Sequence, residues 1–354
     1  MRLRLVDIAD RAGVSEATVS RVLNDKPVAA ATRERVLTAI DVLGYERPAR
    51  LRPKPAGLVG LVVPELTNPV FPLFAQLIET ALVKHGYTPV LCTQTPGGVH
   101  EDEYVQMLRE RGTAGIVFVS GIHAITETDT ERYRRLIRQG VPIVLINGFQ
   151  ADVDAPCLSQ DDSVALELAV THLYGLGHRR IGLALGPRRY TPVNRRIAAF
   201  TRLAERLPDL EPFVECSQYN IEGGAAAAHA LIDRGVTGIA CGSDLMALGA
   251  IRAARLRGLA VPRDVSVVGS DDGLLAQFAD PPLTTVRQDV SGMSAAAVRA
   301  LMEEIQGHSS PRSEYLFPPE LVVRASTAAP GTSRAAVGTA TTAAITLPGY
   351  SATA

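Results

Sequence analysis

Over residues 57–287, short apolar runs alternate with longer amphipathic stretches, and that alternation leaves few folds open. The runs at 58–63, 89–92, 115–119 and 142–146 have the length and apolar continuity of strands buried on both faces. Helical periodicity fills the intervals near 70–85, 101–111 and 130–139. The pattern resumes with strands at 181–185, 238–241 and 265–268, and with helices near 164–176 and 244–257. Two successive sets of strand–helix units predict two doubly wound parallel sheets, each with helices on both faces. Such sheets bind ligands at the carboxyl ends of their strands, and two lobes would place that site in the cleft between them.

The first 45 residues have a different pattern. Leu5, Ile8, Ala9 and Ala12 form the apolar stripe of a short helix. Gly13 permits a turn, and Ser15 is placed to cap a second helix with Val19, Val22 and Leu23 on its inner face. A third helix, from about 32 to 43, buries Val36, Leu37, Ile40 and Leu43 and stops at Gly44. This is an all-α helix-turn-helix headpiece, in which the second helix can enter a major groove. Ser15, Thr18 and Ser20 suit phosphate oxygens, Arg21 can pair with guanine, and Glu16 can accept from cytosine. A plain three-helix protein-binding module has the same pattern.

Charge separates head from body. Residues 1–55 carry a balance of +4 and the remainder −5, so a polyanion partner is expected for the head alone. Arginine outnumbers lysine 33 to 3, which we read as coding bias, so the arginines are not counted as nucleic-acid contacts. The four cysteines, Cys92, Cys157, Cys216 and Cys241, lack metal or disulfide spacing and fit a reducing compartment. No apolar run approaches the roughly 18 residues of a membrane span, and none follows Arg2 and Arg4 as an export signal would, so a cytoplasmic protein is expected.

The run VDIADRAGVSEATVSRVLN (residues 6–24) resembles the headpiece of the LacI/GalR family of repressors, as do Thr32-Arg33-Glu34-Arg35-Val36 and Leu43-Gly44-Tyr45. The resemblance implies that Glu16, Ala17 and Arg21 face bases while Ser15, Thr18, Ser20 and Asn24 position the DNA backbone. The chain departs from the family at Ala29-Ala30-Ala31, where a serine cap is usual. Residues 46–56 are basic and proline-punctuated, and read alone they form a semi-rigid linker. The resemblance implies a hinge helix that wedges a leucine into the minor groove, with Arg50-Leu51 as candidates. Pro53 and Pro55 limit any such helix to one turn, so a linker that only tracks phosphates is equally consistent.

The body resembles the same family and the related periplasmic sugar-binding fold. The resemblance rests on Gly60-Leu61-Val62-Val63-Pro64 with Asn68-Pro69-Val70-Phe71, Gly177-His178-Arg179-Arg180-Ile181, Arg196-Ile197-Ala198-Ala199-Phe200, Ser243-Asp244-Leu245-Met246-Ala247-Leu248-Gly249, Val268-Gly269-Ser270-Asp271-Asp272, and Pro282-Leu283-Thr284-Thr285-Val286-Arg287-Gln288. It implies lobe 1 at about 57–159 plus 288–316 and lobe 2 at about 160–287 plus 317–328. It also implies that Arg196 and Asp271 grip effector hydroxyls, with Asn147 and Ser243 as further polar contacts. Tyr219 would stack on the ligand, and Asn68, Phe71 and Gln288 would approach from the other lobe. A polyol suits this set, because its vicinal hydroxyls match a charged donor and acceptor and its apolar face matches an aromatic ring. Simpler roles stand beside these: a helix cap for Ser243, a turn for Asn147-Gly148, and core packing for Tyr219 and Phe71.

His178 lies in a helix-to-strand connection with no nucleophile motif nearby, and Arg188-Arg189 read as solvated. The expected function is a ligand-controlled transcription regulator, most simply a repressor, that binds a palindromic operator as a homodimer. No cofactor, metal or membrane partner is expected. A transport receptor would need an export signal, and its body alone would not shift DNA in a gel. An enzyme would need a phosphate loop, nucleophile elbow or metal cluster, and would turn over its sugar. The tail from 329, rich in Ala, Thr, Gly and Ser, reads as disordered and has no leucine heptad for tetramer formation.

Overall fold

The computed structural model describes residues 5–24, 26–44, 56–94 and 99–331. The hinge candidates Arg50 and Leu51, and the tail beyond 331, lie outside the described residues.

The head contains α1 (Leu5–Ala12), α2 (Glu16–Leu23) and α3 (Ala30–Val42). Gly13 turns the chain at φ +63°. Ser15 then caps α2 by accepting from the Thr18 amide at 3.2 Å. Ile8, Ala9, Ala12, Val19, Val22, Leu23, Val36, Ala39 and Ile40 pack into one small core. A core of this size is near the lower limit for independent stability, so each helix end matters. Helix α3 starts two residues before the expected Thr32, and Ala29 at its cap position offers no side-chain acceptor. That end is about 1 kcal/mol less stable than a serine or aspartate cap would make it.

The first sheet contains β1 (Gly57–Val63), β2 (Tyr87–Thr93), β3 (Gly115–Val119), β4 (Ile143–Ile146), β5 (Cys157–Gln160) and β11 (Glu314–Phe317), in the order β11-β5-β4-β3-β1-β2. Helices α4 (Val70–Lys84) and α11 (Val290–Ile305) cover one face, with Phe74, Ile78, Leu82 and Leu301 fully buried there. Helices α5 (Glu101–Glu110) and α6 (Glu131–Arg138) cover the other, around Leu108, Phe118 and Tyr133.

The second sheet contains β6 (Arg180–Leu185), β7 (Glu211–Cys216), β8 (Gly238–Cys241), β9 (Ser266–Asp271), β10 (Thr284–Arg287) and β12 (Glu320–Val322), in the order β12-β10-β9-β8-β6-β7. Helices α7 (Asp162–Gly175) and α8 (Thr191–Arg206) lie on one face; α9 (Ile221–Asp233) and α10 (Asp244–Leu256) lie on the other. This sheet is not wholly parallel as expected, because β12 runs antiparallel to β10. β11 runs parallel to β5 toward the second lobe, and only Pro318 and Pro319 separate it from β12, so β12 enters the second sheet heading opposite to β10, which runs toward the first lobe.

The chain passes between the sheets three times: from β5 into α7, from β10 into α11, and from β11 into β12. Each sheet therefore combines segments far apart in sequence. Among the described residues, no helix is long and apolar enough to cross a membrane.

Candidate functional site

Arg196, in the second turn of α8, is the centre of the inter-lobe cluster. Its side chain turns inward because Val193, Ala199, Phe200 and Leu203 bury the same helix face. Nε donates to Asp162 Oδ1 at 3.1 Å, Nη1 to the Gly242 carbonyl at 3.1 Å, and Nη2 to Ser270 Oγ at 3.4 Å. Burial opposes the guanidinium charge, but Asp162, Tyr219 and Asp271 together outweigh it and hold the pKa above the ordinary arginine value. Asp162 opens α7, just past the first crossing between lobes. Burial lifts its carboxyl to about 6, even with Arg196 beside it.

Asp271 ends β9 at φ +115°, and Asp272 follows at +56°. Ser120 (+47°), after β3, and Asn147 (+59°), after β4, share this left-handed region. Thus four of the five non-glycine residues with positive φ among the described residues lie at the carboxyl ends of strands, where the two sheets meet. Such conformations cost about 1–3 kcal/mol each and concentrate at functional sites. Asp271 Oδ2 is buried with no hydrogen-bond partner among the described residues. Burial and then the Asp244 charge hold the Asp271 carboxyl well above the usual range, against the lowering influence of Arg196 and of Asn68 from the first lobe.

Tyr219 lies over Gly186 and Gly242, at the ends of β6 and β8, where a Cβ on either glycine would press on its ring. Its ring centroid is 6.1 Å from that of Tyr190. Asn147 Oδ1 accepts from Gln288 Nε2 at 3.2 Å and from the Gln160 amide at 3.3 Å. Arg195, next to the central arginine, makes a bidentate pair with Glu314 of β11 at 2.7 and 2.8 Å, tying α8 to the first sheet.

The structure therefore brings Arg196, Asp271, Tyr219 and Asn68 together, and joins Asn147 to Gln288. Ser243 accepts from the Met246 amide at 3.2 Å and so caps α10, the simpler of its two roles. Phe71 packs against the core of the first lobe. Sequence reasoning missed Asp162, Asp244 and Tyr190. Asp161-Asp162 and Ser243-Asp244 look like ordinary helix caps in sequence, and only the folded chain shows the second residue of each pair turned inward. His178 is structural: its ring bonds Thr237 Oγ1 and the Ala328 carbonyl, each at 2.9 Å. A cavity of about 900 Å³ lies between α5 and α6, away from this cluster and lined by charges of both signs. The voids beside Arg196 and between Asn68 and Asp271 are each about 10 Å³, too small as they stand to admit a sugar.

Asp244 accepts from the Thr285 hydroxyl at 2.6 Å and the Gly273 amide at 2.7 Å, and burial still lifts its carboxyl to about 6. A carboxyl raised in the folded state favours folding at low pH, and that contribution fades as pH rises through the folded pKa. Asp244→Asn keeps the shape and one acceptor but has no charge to bury. We expect its melting temperature to match that of the parent near pH 4. The variant should gain through pH 6 and stay ahead by about 2 kcal/mol at pH 8. Parallel melting curves at all pH values would refute this.

In the head, Ser15, Glu16, Ala17, Arg21 and Asn24 are exposed, and Thr18 and Ser20 are half-exposed. Together they form the outer face of α2, opposite buried Val19, Val22 and Leu23. Asn24 Nδ2 donates to the Ser20 carbonyl at 2.8 Å, closing the helix end. The first-turn amides and short hydroxyls suit phosphate, and Glu16 and Arg21 are free to reach base edges.

Residues 4–48 match the family model described as bacterial regulatory proteins, lacI family, and residues 170–327 match a periplasmic binding protein-like domain. The HTH-type transcriptional regulator reg1 of Streptomyces lividans is 62% identical over 340 residues, spanning 94% of this chain and 99% of that protein. The chain belongs to the lacI family of bacterial regulatory proteins.

Solved structures agree with the lacI-family assignment. The transcriptional regulator CelR, in complex with cellobiose, aligns over 92% of this chain and 100% of that one, with a TM-score of 0.68 and 30% identity. The lac repressor dimer, bound to operator and the anti-inducer ONPF, aligns over 93% of this chain and 100% of that one, with a TM-score of 0.68 and 28% identity. This lacI-family member is a DNA-binding transcription regulator and not an enzyme.

Proposed function

We propose that the chain is a cytoplasmic repressor whose homodimer grips a palindromic operator and whose grip is set by a neutral sugar between the lobes. Residues 1–45 read DNA, 46–56 link, and 57–328 bind effector and dimerise, with the lobes divided at about 159/160, 287/288 and 316/317. The base-facing residues are Glu16, Ala17 and Arg21, with Ser15, Thr18, Ser20 and Asn24 on the backbone and Arg50-Leu51 at the hinge. The effector contacts are Asn68, Phe71, Asn147, Arg196, Tyr219, Ser243, Asp271 and Gln288.

One observation carries this reading. A buried guanidinium, a strained carboxyl with an open acceptor, and a tyrosine ring converge at strand ends where two lobes meet. The carboxyls of buried Asp162 and Asp244 and of half-buried Asp271 outnumber the one buried guanidinium among the described residues, that of Arg196, so a neutral polyol fits better than a phosphorylated one. The operator-bound lac repressor dimer and the cellobiose-bound CelR support the same assignment by relation. Leu73 and Val83 on lobe 1, and Leu256, Leu274 and Phe278 on lobe 2, offer exposed apolar surface that a second copy can bury.

The test is selection of bound duplexes from a random pool by the full chain. Two inverted half-sites, spaced by about one helical turn, are expected. A neutral sugar that raises the melting temperature should shift affinity for the selected duplex by roughly 5–150-fold. Lack of preference for any duplex would reject the regulator reading, and an unmoved affinity would reject the effector reading.

A further inference from the structure

Glu101 is a fully buried carboxylate, and no ion pair reaches it among the described residues. Such a group is costly unless its oxygens are satisfied. Here hydrogen bonds alone satisfy them. Tyr133 OH donates to Oε1, while Gln94 Nε2 (2.9 Å) and the Ile122 amide (3.1 Å) donate to Oε2. Tyr133 OH in turn accepts from the His123 amide at 2.9 Å. The His123 ring is also buried, and Nε2 donates to the Ile146 carbonyl at 3.0 Å, because that partner can only accept. Burial holds this imidazole below its ordinary pKa, so it stays neutral.

Three of these bonds hold residues 121–126, the segment that leaves β3 at the carboxyl end of the first sheet: those of the Ile122 amide, the His123 amide and the His123 ring. The bonds from Gln94 and Tyr133 to Glu101 fix the acceptors that the segment uses. Gln150 Nε2 adds bonds to the His123 carbonyl (2.7 Å) and the Ile125 carbonyl (3.0 Å), and a Cβ at Gly148 would come within 2.6 Å of Ala124 Cα. The segment is thus locked onto the loop that begins with Asn147.

The far end of this strap touches the second lobe. The Thr126 amide donates to the Arg189 carbonyl at 2.8 Å, and Ile125 forms an antiparallel bridge with Tyr190. Asn194 Nδ2 donates to Thr126 Oγ1 at 3.1 Å. Tyr190 packs beside Tyr219, and Asn194 sits two residues before Arg196 on α8. A continuous set of contacts therefore runs from the buried face of lobe 1 to the cluster in lobe 2.

We propose that Glu101, Tyr133 and His123 are positioning residues that hold the 121–126 strap in the shape that docks on lobe 2, and so set how firmly the cleft closes. None of the three needs to touch the ligand. The proposal rests on the reading of the cleft as a clamp, but its test uses no ligand, so the two can fail separately.

The test is hydrogen–deuterium exchange on the full chain, comparing the parent with Tyr133→Phe and Asn194→Ala. The first variant removes one hydroxyl inside lobe 1. Exchange should rise roughly tenfold in 121–127, and also in 187–194 of lobe 2, which Tyr133 does not contact. Asn194→Ala acts from the opposite side and should loosen 121–127 without altering α5 or α6. If Tyr133→Phe changes lobe 1 only, or if Asn194→Ala leaves the strap as protected as in the parent, the proposal is overturned. Should Tyr133→Phe fail to fold, Glu101→Gln takes its place with the same two readouts, 121–127 and 187–194.

Discussion

Replacing Arg196 with alanine should destabilise the second lobe by about 3–5 kcal/mol and abolish any response to sugar. The stability loss does not come chiefly from lost attraction. Asp162 is almost fully buried, and with the guanidinium gone its charge would lose its ion pair and keep only the field of Arg195, which Glu314 already engages. The carbonyl of Gly242 and the hydroxyl of Ser270 would lose a donor at the same time. For a lobe of this size the melting temperature should fall by roughly 10 °C. A double variant, Arg196→Ala with Asp162→Asn, should recover part of that loss, since it removes the stranded charge. If the double variant melts below the single one, the pair is not what holds this region. Asp271→Asn is the gentler companion. It should spare folding and DNA binding yet remove the sugar response, and a fully responsive variant would reject the pocket.

Replacing Arg21 with alanine should cost about 1–3 kcal/mol per half-site of the best operator and flatten preference at one base position in each. Arg21 is exposed on the outer face of α2, while Val22 and Leu23 beside it anchor the helix from within. Folding of the head should therefore be untouched. Binding titrations against the selected duplex and a one-base variant give the answer, because a phosphate-only contact would weaken both equally. In a dimer the effect counts twice. Unchanged affinity for the selected duplex would reject the role of Arg21 in reading bases.

Legibility in the sequence followed the range of the interactions involved. The head was readable because α1 and α2 are specified by neighbours: a 3.6-residue stripe, a turning glycine at 13 and a capping serine at 15. The start of α3 was misplaced by two residues because Ala29 carries no cap signal. Central strands such as β3 and β8 were readable as continuous apolar runs. The edge strands β7, β11 and β12 were not, since each is charged and partly exposed. Helix α9 was hidden by Gly223-Gly224, which lower helix propensity. The fold places glycine at 224 because the α10 backbone at Met246 lies against it.

The cleft divided the same way. Arg196 and Asp271 were proposed through resemblance, and the fold brings them within electrostatic reach of each other. Asp162 and Glu101 could not be identified. A carboxylate at a helix start normally faces water, and its burial depends on partners 34 and 32 residues away, Arg196 and Tyr133. The strained backbone at Asp271 was equally invisible, because aspartate adopts positive φ more often than most residues but far too rarely for its presence to mark one.

Tyr219 occupies a notch made by two missing side chains. Any substituent at Gly186 would land on its ring, and one at Gly242 would crowd it. The three positions are therefore one unit of shape, and they should vary together across relatives. Where position 186 gains a methyl group, position 219 should shrink, and with it the flat surface available to a guest. Changing which molecule this regulator answers to would accordingly take paired substitutions, with either single step passing through a misfitting intermediate.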